Sequence, residues 1–512
     1  MTSAGTAILI TIIAYLVAMI GIGLYFNRKG SGENAGEFYL GGRKLGPLVT
    51  AMSAEASDMS SYLLMGLPGL AYLCGVAEAG WTIIGLAVGT YLNFLIVARR
   101  LRRYSAHLGA ITLPDYFSRR WKDERHVLSL VAALVIIIFF VPYTASGFSA
   151  VGKLFHSLFG WDYHASMVIG ALVIIGYTVL GGFLAVSTTD LIQSIFMTVA
   201  LVVIVLFGIQ QAGGLDAVME NAKALPGYLN LNQGYLADSG TAGSFGFLSV
   251  VSTLAWGLGY FGMPHILLRF MAIRDEREVK TSRRIASVWV VLSMVVAVFI
   301  GIIGLAVSRT GAIETLSGND SETIIVRLAH LMSENGVLFA VVAGVILAGI
   351  LAATMSTADS QLLAAASSVS EDVTQGFFGI RFQRKTAMLA ARITVIAIAA
   401  VGVLLAWNPD SSVFRVVSFA WAGFGAAFGP VVLFSLLWKR SNKWGALAGM
   451  VAGGATVFLW KFLVRPLGGS FDIYELLPAF LVASIAIVVV SLLTKAPEQE
   501  VLDNFDAVKK GA

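Results

Sequence analysis

Three short runs in this sequence set oxygen-bearing or backbone-loosening residues among neighbours that are almost wholly apolar. The first reads Ser53-Ala54-Glu55-Ala56-Ser57-Asp58-Met59-Ser60-Ser61-Tyr62, with Gly66, Pro68 and Gly69 beyond it. The second is Trp256-Gly257-Leu258-Gly259-Tyr260-Phe261-Gly262-Met263-Pro264, and the third Thr354-Met355-Ser356-Thr357-Ala358-Asp359-Ser360-Gln361. Carboxylates, hydroxyls and carbonyls freed by helix breaks are the ligands a hard cation such as sodium prefers. They do not add up to an enzyme site: the chain holds no Walker P-loop, no His-Glu-x-x-His and no convincing nucleophile elbow. Its single cysteine, Cys74, leaves neither an intrachain disulfide nor a thiolate cluster for a metal.

The elements that must position these runs are membrane helices. With 512 residues, 57% hydrophobic and 13% charged, the chain is too apolar for a water-facing surface of its size. A bilayer core of about 30 Å takes roughly 20 apolar residues per helix. Runs of that length predict about thirteen spans, near 6–26, 48–70, 77–98, 127–151, 165–183, 190–212, 246–272, 285–308, 336–367, 386–407, 413–438, 444–463 and 475–494. In the opening segment Arg28 and Lys29 follow the apolar run, the reverse of a cleavable signal, so it is expected to stay as the first span.

Alternate loops are basic. They carry Arg28, Lys29, Arg43 and Lys44; then Arg99, Arg100, Arg102 and Arg103 with Arg119, Arg120, Lys122 and Arg125; then Arg274, Arg277, Lys280, Arg283 and Arg284. Arg381, Arg384 and Lys385 follow, then Lys439, Arg440 and Lys443, while 213–242 and 309–335 hold few cations. The positive-inside rule puts the basic loops in the cytoplasm, with the N-terminus outside and the C-terminus inside. The net charge of +5 therefore reports topology, and no nucleic-acid partner is expected. The tail 495–512 is read as a short cytoplasmic segment.

The first two runs interrupt the second and seventh spans. A central Asp costs roughly 2.5–3.5 kcal/mol on insertion scales unless it meets protein, water or an ion. Glycine loosens the backbone and proline removes a donor. Each broken span opens a block of five, and five is odd, so the second block starts from the other side of the membrane. That is a five-plus-five inverted repeat whose broken first helices meet near the midplane. The divisions are then 1–47, the repeat 48–212, an external loop 213–245, the repeat 246–438, two further spans 439–494 and the tail. Close helix packing is the competing reading of the glycines, and suits Gly425/Gly429 and Gly445/Gly449/Gly453 better. Counted from the cytoplasmic ends of their spans, Asp58 and Ser356 both lie roughly 15–17 Å deep, at a common level. Hydroxyls in membrane helices also bond their own backbone, an equally good account of Ser356 and Thr357 taken alone.

The runs Leu40-Gly41-Gly42-Arg43, Ala56-Ser57-Asp58-Met59-Ser60, Leu64-Met65-Gly66-Leu67-Pro68-Gly69, Leu113-Pro114-Asp115-Tyr116-Phe117, Trp256 to Gly262, Met355-Ser356-Thr357 and Ala420 to Pro430 closely resemble the bacterial sodium/proline symporters of the sodium:solute symporter family. The resemblance covers nearly the whole chain. It implies sodium held by the carbonyls of Ala56, Met59 and Ala353 and the hydroxyls of Ser356 and Thr357, with Asp58 and Ser60 required for coupling. It implies a solute site at Tyr143, Trp256 and Tyr260, with Pro264 supporting the broken helix. Arg43 and Asp190 match positions tied to coupling or gating, and equally fit an interfacial snorkelling arginine and a helix N-cap. The chain departs from the proline pattern at Glu55, at Ser61 and Tyr62, and at Met263, all in the two broken helices around the solute.

The expectation is thus a sodium-coupled symporter in a bacterial inner membrane, importing a small solute by alternating access, with L-proline first. The alternatives are another amino acid, a carboxylate or a vitamin, coupling to protons, or a solute sensor. Glu55, bare at this depth, is expected to be protonated and packed. Oligomeric state is not legible.

Overall fold

The computed structural model describes residues 2–28, 35–380 and 384–510. Lys29 and Arg381, read above as loop charges, lie outside the described residues. The protein is a bundle of long helices, because a lipid-embedded chain must satisfy its backbone groups within each segment. Nine helices among the described residues are long and apolar enough to cross a membrane, and a tenth is the bent pair Phe247–Gly262 and Pro264–Ala272. The polar run 53–62 dilutes and breaks the second of the thirteen expected spans, while those expected at 165–183 and 386–407 lie on the helices Tyr163–Gln211 and Arg384–Leu405.

The bundle is turned inside out relative to a soluble protein. Large apolar side chains such as Ile10, Leu172, Leu206, Leu292 and Leu404 are exposed on its flanks, while Ser53, Glu55, Asp190, Asp359 and Gln361 are wholly buried inside. Solvation by lipid tails explains the first set, and only internal partners can stabilise the second.

Both expected breaks are present. In the first broken helix (47–74), Ser60 takes φ 48° and ψ −168°, a backbone region costly for a residue with a Cβ, and a π turn follows at Tyr62–Gly66. The second (247–272) passes from an α-helix into a 3-10 segment, Ala255–Gly262, then an extended Met263, and restarts at Pro264 with a bend of 47°. Proline suits that first helical position because its missing N–H had no partner to lose. The glycines here also let helices approach closely. A Cβ on Gly259 would run into the Trp421 indole, and one on Gly262 into the Phe424 carbonyl. The packing reading of the other glycines holds as well, since a Cβ on Gly429 would stand 2.7 Å from Phe480.

Elsewhere the structure corrects several expectations. The stretch 184–189, expected as a loop, is helical: one helix runs from Tyr163 to Gln211, broken only at Gly182 with φ 65°. The segment 213–245, expected as a loop, contains a helix, Leu215–Lys223, and a hairpin pairing Gln233–Leu236 with Thr241–Ser244. The tail forms a helix, Gln499–Lys510, docked through Phe505 against Tyr104 and Arg120.

The basic loops gather at one end of the bundle. Arg103 pairs with Glu276 at 2.6 Å, Lys122 with Glu500 at 2.7 Å, and Lys439 with Asp506. Beside them Arg43 donates to Ser105 and to the carbonyls of Met271 and Ala110 at 2.5 and 2.6 Å. It is therefore bound to protein oxygens and does not snorkel. Burial, with Arg102 adding to it, pushes its guanidinium down to about 10, which leaves it charged at neutral pH. Thr112 meets Asp372 at 2.7 Å and Tyr39 meets Ser370 at 2.8 Å, tying the segment 368–377 to its neighbours at this end.

Candidate solute and cation site

Just before the first break the carbonyl of Ala56 faces the helix 337–377. The Ser356 hydroxyl donates to the Ala56 carbonyl at 2.7 Å and lies 3.1 Å from the Ala353 carbonyl. Thr357 donates to the Ala353 carbonyl at 3.2 Å. Four of the five expected ligand groups are thus linked in one chain of oxygen contacts, of the kind a hard cation prefers. Met59, the fifth, sits in the adjoining turn, where its carbonyl accepts the Tyr62 N–H. The bonds of both hydroxyls to Ala353 are the backbone bonding expected of such residues. The bond to Ala56 crosses between helices and is not explained that way.

Two residues beyond Ala56, Asp58 links this cluster to the aromatic residues. Tyr143 donates to its carbonyl at 3.0 Å and Tyr260 to its carboxylate at 2.6 Å. The other carboxylate oxygen is buried with no hydrogen-bond partner among the described residues. Ser60 accepts the Tyr62 N–H at 3.1 Å, holding the break in place. The second break has fewer free carbonyls than its sequence suggests. Trp421 donates to the Trp256 carbonyl at 2.8 Å and Asn93 to that of Tyr260 at 2.9 Å.

Trp256 stands at the centre of an aromatic stack, 5.7 Å from Tyr62, 5.5 Å from Phe414 and 5.1 Å from Tyr474. On one side lies a vestibule of about 1270 Å³, open at the end away from the basic loops. On the other a cavity of about 10 Å³ is lined by Asp58, Met59, Tyr62, Tyr143, Trp256 and Trp421 among others. That is room for about one water. A solute can reach Asp58 only if the stack shifts. Of the expected solute residues, Tyr62, Tyr143 and Trp256 line this cavity, and Tyr260 reaches it through Asp58. Ser61, Met263 and Pro264 line neither described cavity.

Asp190 is not a helix cap. It lies within the helix 163–211, fully buried, accepting from Ser53 at 2.6 Å and paired with Arg269 at 3.1 Å. Arg269 also donates to Ser53, to the His265 carbonyl and, at 2.6 Å, to Ser360, which in turn approaches Asp359 at 3.3 Å. A buried ionic network therefore backs the first break. Arg269 was the missed member. Its signal was a lone arginine inside the apolar run after Pro264, a position where an ion is retained only with a partner. Glu55 is fully buried, and neither of its oxygens has a hydrogen-bond partner among the described residues.

Comparison with known proteins agrees in fold and family. The profile of the sodium:solute symporter family matches residues 38–453. The chain is 43% identical to the sodium/proline symporter of Haemophilus influenzae over 98% of this chain and 97% of that one. It is 40% identical to the osmoregulated proline transporter of Bacillus subtilis, over 98% of both chains. A sodium-coupled sialic acid symporter solved in a substrate-bound, outward-open state superposes with a TM-score of 0.78 at 19% identity, covering 96% of this chain and 98% of that one. A nucleobase-cation-symport-1 family transporter in a closed conformation superposes at 0.54 and 15% identity, covering 92% and 98%. These two share the fold of the broken-helix core. This is a multi-pass membrane protein built for transport and not for covalent chemistry, and it belongs to the sodium:solute symporter family.

Proposed function

We propose that the protein imports L-proline together with sodium across a bacterial inner membrane. The observation that carries this reading is the meeting of Ser356 and Thr357 with the carbonyls of Ala56 and Ala353, two residues from an Asp58 already bonded to Tyr143 and Tyr260. A cation there would draw the first break into one geometry and, through Asp58, set the two tyrosines that face the solute. Ion and solute binding are thereby coupled. Two relatives spanning nearly the full chain are named for proline, one of them for sodium as well, which favours that solute. A pyrrolidine ring with a carboxylate and a secondary ammonium also suits aromatic walls beside freed helix ends better than a sugar would.

In this reading Ala56, Met59, Ala353, Ser356 and Thr357 hold sodium, with Asp58 and Ser60 coupling it. Asp190 acts through the Arg269 network and Arg43 through its contacts at the basic end. Tyr143, Trp256, Tyr260 and Tyr62 contact solute, while Ser61, Met263 and Pro264 shape the breaks around it. The repeats are 48–212 and 246–438, the basic end is cytoplasmic, the N-terminus lies outside and the C-terminus inside. Sodium and solute enter by the vestibule, the aromatic stack closes over them, and the contacts of Arg43, Thr112 and Tyr39 release to open the inner end. A potential of about 100 mV supplies roughly 2.3 kcal/mol per charge. A tenfold sodium gradient adds roughly 1.4 kcal/mol, so one sodium per solute sustains accumulation of several hundredfold.

A panel of labelled proline, other amino acids, pantothenate, sugars and short carboxylates, offered to proteoliposomes, tests the solute. Proline should be accumulated and should compete best. Accumulation of another solute, with proline neither entering nor competing, would refute the assignment.

A further inference from the structure

The helix Val413–Leu437 turns one face towards the solute: Phe414 packs on Trp256, and Val417 and Trp421, one and two turns on, line the inner cavity. Residues at that spacing share a side of a helix. Trp421 is buried and stands outside the set of solute residues that the family resemblance implies.

Its indole is moored to the second break. The indole N–H donates to the Trp256 carbonyl at 2.8 Å, and the ring meets that of Tyr260 edge to face at 5.1 Å. It also lies so close on Gly259 that a Cβ there would run into it. One turn further along, a Cβ on Gly425 would stand 2.8 Å from the Gly259 Cα, so this helix and the break are pressed backbone to backbone. Interiors packed in that way yield little space, and the indole is a fixed wall of the cavity. Tyr62, another lining residue, is different. Its hydroxyl is buried with no hydrogen-bond partner among the described residues, and its ring stacks on Trp256 and Phe414 at 5.7 Å each. A stacked ring without a hydrogen bond moves at less cost than a bonded, close-packed one. The space of about 10 Å³ therefore grows by movement of Tyr62 when a solute enters, with Trp421 standing still.

We propose that Trp421 is a specificity-determining residue, the fixed wall on which the apolar ring of a cyclic imino acid comes to rest, and that it sets the largest ring the cavity accepts. An apolar wall in contact with solute carbon discriminates single methylenes, each worth about tenfold or more. This proposal rests on the reading of proline as the cargo.

The test is equilibrium displacement of labelled L-proline, in saturating sodium, from the purified protein by the four-, five- and six-membered imino acids azetidine-2-carboxylate, proline and pipecolate. Wild type is compared with Trp421→Phe and Trp421→Leu, and since binding needs no transport cycle, a variant slow to turn over still reports. Wild type should hold pipecolate about tenfold or more weaker than proline, and in both variants the gap should close to within about threefold. Azetidine-2-carboxylate, the smallest ring, should lose most. A defect of packing alone would weaken all three alike and leave their ratios unchanged. Unchanged ratios in the variants would overturn the proposal, and so would a wild type that holds pipecolate as tightly as proline, whatever the variants do. If wild type binds no proline, the cargo reading has failed on its own. The ratio is then measured for the solute that does bind and its homologue longer by one methylene, where a gap that closes in Trp421→Phe supports the wall and a constant gap overturns it.

Discussion

The hydroxyl of Ser356 meets the carbonyl of Ala56 across 2.7 Å, joining residues 300 positions apart just before the first broken helix gives up its regular bonding. This contact places an oxygen cluster beside Asp58, and the consequences can be measured.

Ser356→Ala and Thr357→Ala should each raise the sodium concentration for half-maximal uptake about tenfold, equivalent to roughly 1.4 kcal/mol of lost cation binding. Membrane expression should be unchanged. Identical sodium activation in both variants would take this cluster out of the ion site.

Asp58 is held by Tyr260 through its carboxylate and by Tyr143 through its carbonyl. Asp58→Asn keeps the shape and loses the charge that offsets a buried cation, so coupled uptake should fall at least a hundredfold. Asp58→Glu should retain more. An Asn variant that transports like wild type would make Asp58 a satisfied polar residue only.

Glu55 lies three residues away, both its oxygens buried with no hydrogen-bond partner among the described residues. A charge so placed would be costly, whereas a neutral acid is tolerated. Glu55→Gln should therefore leave sodium activation within about twofold of wild type. Loss of coupling with normal insertion would make Glu55 a second coupling group.

Much of this site was legible in the sequence because the membrane makes polarity conspicuous. Asp58, Ser356 and Thr357 stood out among apolar neighbours, and helical rise put them at one depth before any contact was known. The breaks at Ser60 and in Trp256–Pro264 were legible from glycine, proline and serine. Partnership was not. Nothing local to Asp190 says that Arg269, 79 positions on, neutralises it. Nothing around Trp256 names Phe414 or Tyr474 as its stacking partners. The continuous helix through 184–189 was missed because 165–183 and 190–212 read as separate spans with Asp190 as a helix cap, while in the folded chain Thr188 bonds its own helix and Asp190 is paired.

The end of the bundle that carries the vestibule gives a stability prediction. Glu322 receives Lys153 at 2.9 Å, Ser412 at 2.8 Å and the backbone N–H groups of Val413 and Phe414 at 3.1 Å, so it fixes the start of the helix that carries the vestibule wall. Lys153→Ala leaves this carboxylate buried without its cation and should cost about 3–5 kcal/mol. Thermal unfolding of the purified protein in detergent should show a clear drop for Lys153→Ala and none for the exposed Lys122→Ala. Equal stability of the two would contradict the role given to the buried pair.

The account's central claim is tested most directly by the accumulation ratio of labelled L-proline in proteoliposomes carrying an inward sodium gradient and an inside-negative potential, set against the same vesicles with potassium replacing sodium. The account predicts accumulation well above equilibrium, up to several hundredfold, with sodium, collapse on adding a sodium ionophore, and mere equilibration with potassium. Equal accumulation in the two media would contradict sodium coupling, and with it the role assigned to the Ser356–Ala56 contact.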